Sequence, residues 1–115
     1  MKILVGSQAL KHFNLNRSNP KDFDYWVDSK DKYFNSFPEN ETIDVHEQPT
    51  NILNKVEFEV IDSVNVATPD SIYTIKLSHF VYDEKWDKTK LDVYGLKQKG
   101  GKLLPDLYNE LCGHW

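Results

Sequence analysis

Val5-Gly6-Ser7 and, further along, Asp22-Phe23-Asp24-Tyr25 are the residues on which the reading of this chain turns. Lys2–Val5 reads as a short buried strand. Gly6-Ser7 then turns the chain into a helix over Gln8–Leu15, where Ala9, Leu10 and Phe13 are apolar at helical spacing. Phe23–Val27 reads as the next strand. Side chains two apart in a strand share a face, so Asp22 and Asp24 project together while Phe23, Tyr25 and Val27 point into the core. Two parallel carboxylates on rigid backbone are what a pair of Mg²⁺ ions about 3.5–4 Å apart requires. Gly6 permits close backbone approach, and Ser7 opens a helix whose first N–H groups can receive a phosphate. A phosphate site beside a metal site points to chemistry on a nucleoside triphosphate.

The whole chain has 115 residues, the size of a single domain spanning 1–115. Leu, Ile, Val and Phe number 32 and alanine only two, which supports one core and argues against a helical bundle throughout. Net charge is −4, and only Arg17 accompanies thirteen lysines, so no basic coat invites indiscriminate nucleic-acid binding. Residues 1–62 carry 7 basic and 11 acidic groups, whereas residues 63–115 carry 7 of each. An acidic first half and a lysine-bearing second half can face one another across a site. No apolar run approaches about 18 residues, so neither a membrane span nor a secretory signal is expected. Cys112 is the single cysteine, which excludes a disulfide framework and suits a reducing, cytoplasmic setting.

Further elements follow from punctuation and periodicity. Asn14–Lys21 reads as a polar loop, Lys30–Phe37 as a short helix stopped by Pro38, and Thr42–His46 as a strand ended by the turn Gln48-Pro49-Thr50-Asn51. Val56–Ile61 and Val64–Ala67 form a hairpin through Asp62-Ser63. Thr68-Pro69-Asp70 is a helix start, with Thr as N-cap, Pro at the first helical position and Asp in the first turn. That helix runs to Tyr82 with Tyr73, Leu77 and Phe80 on its apolar stripe. A second helix covers Trp86–Lys99 and stops at Gly100-Gly101, and a third starts at Pro105 with Leu107, Tyr108 and Leu111 inward. The order predicts an α+β fold, a small mixed β-sheet flanked by helices.

Gly-Ser followed by Asp-Phe-Asp on the next strand resembles the core motif of the DNA polymerase β-like nucleotidyltransferase superfamily. The stretch Ala67–His79 is similar to the strand-to-helix segment before the lysine-bearing helix of small bacterial and phage members, including toxin-type transferases of abortive-infection systems. Trp86–Tyr94 resembles their following helix. The resemblance covers residues 3–96 and implies a minimal nucleotidyltransferase fold. It implies that Asp22 and Asp24 bind Mg²⁺ (or Mn²⁺) and that a third carboxylate on a neighbouring strand completes the site. Asp44, in Ile43-Asp44-Val45, fits that description best, with Glu57 and Glu59 as competitors. Gly6, Ser7, Lys76 and Asp92 are then the nucleotide-binding residues. Lys76 reads as a point charge for a triphosphate or as a surface lysine, and Asp92 as a group orienting Lys76 or as the i,i+4 partner of Lys88. His79 reads as a helix-packing residue. The four histidines show no HExxH-type spacing, and Cys112 with His114 is too little for zinc.

The function these readings imply is transfer of a nucleoside monophosphate from an NTP to a hydroxyl of an unidentified acceptor, whether RNA, protein or small molecule. A catalytically inactive binding module of the same fold, such as a phage-encoded protein acting on a host partner, is the alternative. A nuclease using the same acids is a third reading, in which Ser7 and Lys76 would be idle.

Overall fold

The computed structural model describes residues 1–15, 22–33, 42–82 and 87–114, with backbone alone at 80–82 and 87–92. The elements are β1 (Lys2–Val5), α1 (Gly6–Lys11), β2 (Asp22–Val27), β3 (Thr42–Glu47), α2 (Thr50–Leu53), β4 (Phe58–Ile61), β5 (Val64–Ala67), α3 (Pro69–Tyr82), α4 (Asp87–Gln98) and α5 (Pro105–His114). The strands form one sheet in the order β3-β2-β1-β5-β4. β1 pairs antiparallel with β2 and parallel with β5, β2 pairs parallel with β3, and β4 pairs antiparallel with β5. The fold is α+β, with a small mixed sheet flanked by helices, as the punctuation predicts.

Central position explains the composition of β1. Ile3, Leu4 and Val5 are all buried, so this strand is covered on both faces and reads as a continuous apolar run rather than an alternation. The β4–β5 hairpin closes through Asp62 and Ser63, both at positive φ (50° and 64°), which is the two-residue turn whose twist matches the flanking strands.

Several boundaries differ from the sequence expectation. α1 begins at Gly6 and ends at Lys11, short of Leu15. Asn14 ends it by taking φ 58°, while the Leu15 N–H reaches the Leu10 carbonyl and the Asn14 N–H the Lys11 carbonyl. Gly100 at φ 89° ends α4 in the same way, with Gly101 bonded to Leu96. β4 starts at Phe58 instead of Val56, because Val56 is drawn into the core. The turn expected at residues 48–51 runs into α2, which buries Ile52 and Leu53. Of the helix expected over Lys30–Phe37, a 3₁₀ turn at Asp31–Tyr33 falls among the described residues, and residues 34–37 lie outside them, as do 16–21 of the expected loop.

α3 starts as expected, the Ser71 N–H donating to Thr68 Oγ1 at 3.3 Å. Its packing is not the single stripe of Tyr73, Leu77 and Phe80. Ser71, Ile72, Tyr73, Thr74, Ile75 and Ser78 are all buried, so the helix is enclosed on most sides, and the Phe80 side chain lies outside the described residues. Enclosure is tolerable because the buried hydroxyls are used. Ser71 Oγ donates to the Glu57 carbonyl (2.7 Å) and accepts from the Glu57 N–H (2.8 Å), which ties α3 to the start of β4. Thr74 Oγ1 donates to the Asp70 carbonyl and accepts from the Leu104 N–H, and Asp70 Oδ1 accepts from the Lys102 N–H. The segment leading into α5 is thereby latched to α3, and Leu107 and Leu111 are fully buried. Among the described residues, no helix is long and apolar enough to cross a membrane.

Ser71→Ala orphans a buried N–H and a buried carbonyl of Glu57, so it should destabilise the fold by about 1–3 kcal/mol. Chemical denaturation checks this, and an unchanged midpoint would contradict the role given to the hydroxyl.

Candidate functional site

The antiparallel register of β1 and β2 sets Val5 opposite Asp24. Gly6, the next residue, therefore leaves the sheet directly against that carboxylate. A Cβ on Gly6 would lie 2.8 Å from Asp24 Oδ2, and Gly6 sits at φ 73°, where L-residues are strained. Both constraints act at one position, and only glycine meets them together.

β2 and β3 run parallel and in register, with Asp22 beside Thr42, Asp24 beside Asp44 and Trp26 beside His46. Asp24 and Asp44 are thus one strand spacing apart, about 4.8 Å, on the face that also carries Asp22. Asp22 and Asp44 are exposed, whereas Asp24 is half-buried. Glu57 and Glu59 lie elsewhere. β4 is the opposite edge of the sheet from β3, and three strand spacings, about 14 Å, separate Glu59 from β2. Among these acids, the structure brings Asp44 beside Asp24 and leaves both glutamates at a distance.

α3 crosses the acid-bearing face and leaves a cavity of about 360 Å³ beneath it. Val5, Gly6, Asp24, Trp26, His46 and Gln48 line the sheet side, and Ile72, Ile75, Lys76 and His79 the helix side. Lys76 therefore belongs to the cavity that Asp24 lines, and so does His79, which the sequence reading assigned to helix packing. Ser7 lies in the first turn of α1, partly buried. Because α1 has six residues, what it offers an anion is unpaired N–H groups more than a macrodipole. The side chains of Asp92 and Lys88 lie outside the described residues, as do Trp86 and Trp115.

The electrostatics of the cavity centre on Asp24. Burial pushes its carboxyl above the usual carboxylate range, the Asp44 charge adds to this, and Asp22 pushes the same way, while His46 and Lys76 oppose them. A carboxylate crowded in this manner is relieved by a cation. Mg²⁺ commonly takes one or two protein carboxylates and completes its shell with water and substrate phosphate oxygens. The side-by-side pair Asp24 and Asp44 fits that requirement. Among the described residues no three His, Cys, Asp or Glu side chains gather closely enough to hold a metal unaided. His79 is held below its ordinary value of 6.5 by burial first, then by the charges of Lys76 and His46.

Sequence reasoning missed Trp26, His46 and Gln48. The alternation that placed Asp22 and Asp24 on one face extends to Trp26, and from Asp44 it extends to His46, so the signal was present. Gln48 follows because its N–H still bonds the Val27 carbonyl (2.9 Å), continuing the β2–β3 ladder past the end of β3.

No protein-family model matches the chain, and no curated protein matches it. Among solved structures, the Megavirus polyadenylate synthase is similar, with a TM-score of 0.60 over 84% of this chain at 13% identity. The likeness is one of fold. This chain spans 28% of that one, and its five-stranded mixed sheet with flanking helices is compatible with a minimal nucleotidyltransferase fold.

Two outcomes follow from the geometry. Gly6→Ala should cost about 1–2 kcal/mol from the left-handed backbone alone, and part of any further cost should vanish in the double variant Gly6→Ala/Asp24→Ala. A thermodynamic cycle over the four proteins measures the coupling, and strict additivity would mean that the close approach is not felt. His79 titrates below its unfolded value, so the unfolded chain binds more protons as pH falls. Its contribution is complete above pH 6.5 and is lost as pH drops through the depressed folded value. His79→Gln should flatten that limb of the stability–pH curve, and an identical slope in both proteins would refute it.

Proposed function

We propose that this chain binds a nucleoside triphosphate with its phosphates between Gly6-Ser7, the Asp24–Asp44 pair and Lys76, and that it transfers the nucleotidyl group to an acceptor hydroxyl. The observation that carries this reading is the in-register pairing of Asp24 with Asp44, with Gly6 pressed against the first acid and Lys76 lining the same cavity. Similarity of fold to a polyadenylate synthase supports it.

In the proposed reaction the acceptor oxygen attacks the α-phosphorus, a P–O bond forms there, and the bond to the bridging oxygen breaks to release pyrophosphate. Asp44 is exposed and stands beside the reacting centre, which suits it to take the proton of the attacking hydroxyl. Asp24 and Asp44 would hold a divalent cation, Mg²⁺ or Mn²⁺, with Asp22 at the rim. When bound, such an ion neutralises charge developing on the phosphate oxygens. Lys76 offsets charge on the triphosphate from the opposite wall, within a partly desolvated cleft where a point charge acts more strongly than at an open surface. Gly6 keeps the space over Asp24 free of a side chain. Positioning and charge neutralisation account for the catalysis, and no covalent intermediate with the protein is invoked.

Incubation with each α-labelled NTP, Mg²⁺ or Mn²⁺ and cell lysate should label an RNA, a protein or a small molecule, and Asp44→Asn should abolish the label. Binding that persists with no transfer under any condition would leave a nucleotide-binding module instead. Lys76→Ala should weaken triphosphate binding by about 1–3 kcal/mol, the range for a charge-assisted contact, while leaving nucleoside binding unchanged. Lys76→Met separates charge from stem packing. Asp24→Asn should abolish the divalent-dependent part of binding and raise the melting temperature, because it removes the most crowded of the acids. Calorimetry with and without metal reads the first effect. Unaltered NTP–Mg²⁺ affinity in that variant would remove Asp24 from the site.

A further inference from the structure

One polar group in the cavity has no function in the transfer chemistry. Gln48 is 8% exposed and lines the cavity wall, and its carbonyl oxygen Oε1 is buried without a hydrogen-bond partner. Among the described residues this is the one buried side-chain atom left unsatisfied. Native structures satisfy nearly all such atoms, so an orphaned acceptor beside an open cavity calls for an occupant that supplies the missing donor.

The position of Gln48 says what that occupant is. Along the acid-bearing face, Asp24 and Asp44 are followed by Trp26 and His46, and then by Gln48. Four residues of strand separate Asp44 from Gln48, about 13 Å. The cavity is charged at the Asp24–Lys76 end, while Trp26, Ile72 and Ile75 provide apolar and aromatic surface. A nucleotide carries the same sequence of chemistries, from charged phosphates to a flat base with a polar edge. The cavity volume of about 360 Å³ suits a ligand of that class.

We infer that the α3 cavity receives the nucleobase and that Gln48 reads its edge, selecting a base with an exocyclic amine beside a ring acceptor, namely adenine or cytosine. The amine donates to the Gln48 carbonyl, and the carboxamide N–H donates to the neighbouring ring nitrogen, a pairing glutamine makes with adenine elsewhere. A half-turn about the terminal torsion, which is broad and two-fold, brings the carbonyl to face the cavity. Trp26 offers aromatic surface against the base. Guanine and uracil present a carbonyl where the amine would be and leave the Gln48 acceptor unpaired. This inference rests on the nucleotide-binding reading given above and adds to it the class of base.

The test uses the whole chain and Gln48→Met, a variant of similar volume without the carboxamide. Binding of ATP, CTP, GTP and UTP with Mg²⁺ is measured by calorimetry, alongside adenosine, cytidine, guanosine and uridine without metal. The expected result is that ATP, CTP or both bind about tenfold or more tightly than GTP and UTP, the ratio of one good hydrogen-bonded base contact. Adenosine or cytidine should show the same order, and Gln48→Met should erase it. Gln48→Met should melt no lower than the parent, since it removes an unsatisfied buried acceptor. A clearly lower melting temperature would show that Gln48 serves the fold and would overturn the inference. Equal affinity for all four triphosphates would overturn base reading while leaving triphosphate binding intact. Nucleoside preference without any gain from triphosphate and metal would instead sustain the cavity assignment and remove the transferase.

Discussion

The close approach of Gly6 to Asp24 is the constraint on which the site depends. It arises from strand register: once Val5 pairs with Asp24, the chain must leave the sheet over that carboxylate. A side chain at residue 6 would occupy the space over the acid, and the left-handed backbone needed for the turn would be strained as well. The same register fixes the rest. Because β3 adds to β2 in parallel and without offset, Asp44 falls beside Asp24, and every second residue beyond continues along the same face. One pairing therefore positions the acids, the aromatic wall and the amide of the cavity.

α3 provides the opposing wall and is also the most enclosed helix described. The hydroxyls that satisfy its buried surface connect it to β4 through Ser71 and to the α5 approach through Thr74 and Asp70. Lys76 and His79 project from a rigid support, so the charges they place opposite Asp24 are held by the core rather than by a mobile loop. Functional and structural demands meet on one helix. That overlap explains why its buried faces carry serines and threonines where a simple amphipathic helix would carry leucines.

Much of this arrangement was legible in the sequence, where local chemistry is strong. β1, the Asp-Phe-Asp strand, the Thr-Pro-Asp cap and the Gly100-Gly101 stop all depend on backbone preferences that a short window reveals. The helix from Gln8 ended earlier than expected because Asn14 acted as a left-handed stop, a role weighed less readily for Asn than for Gly. The enclosure of α3 was not legible, since it depends on which elements surround the helix, and its hydroxyls carry no pattern that announces burial. Choosing among Asp44, Glu57 and Glu59 needed strand order, a long-range property. With β3 and β4 at opposite edges, geometry separates acids that the sequence leaves equivalent. Gln48 was passed over as a turn residue because its strand continues by a single hydrogen bond past the end of the regular ladder.

The strand order carries a further consequence for how the chain reaches this state. β1 is the central strand, yet its parallel partner is β5, with Leu4 meeting Val66. During synthesis β1 can pair early with β2 and then β3, while its other edge stays open until more than half of the polypeptide has emerged. An apolar strand with an unpaired edge is a template for pairing with another chain. Closing the β1–β5 contact brings together distant segments, a slow step in topologies of high contact order. The three-stranded intermediate β3-β2-β1 is thus the species most exposed to aggregation, and rapid capping and formation of α3 just after β5 would shorten its lifetime.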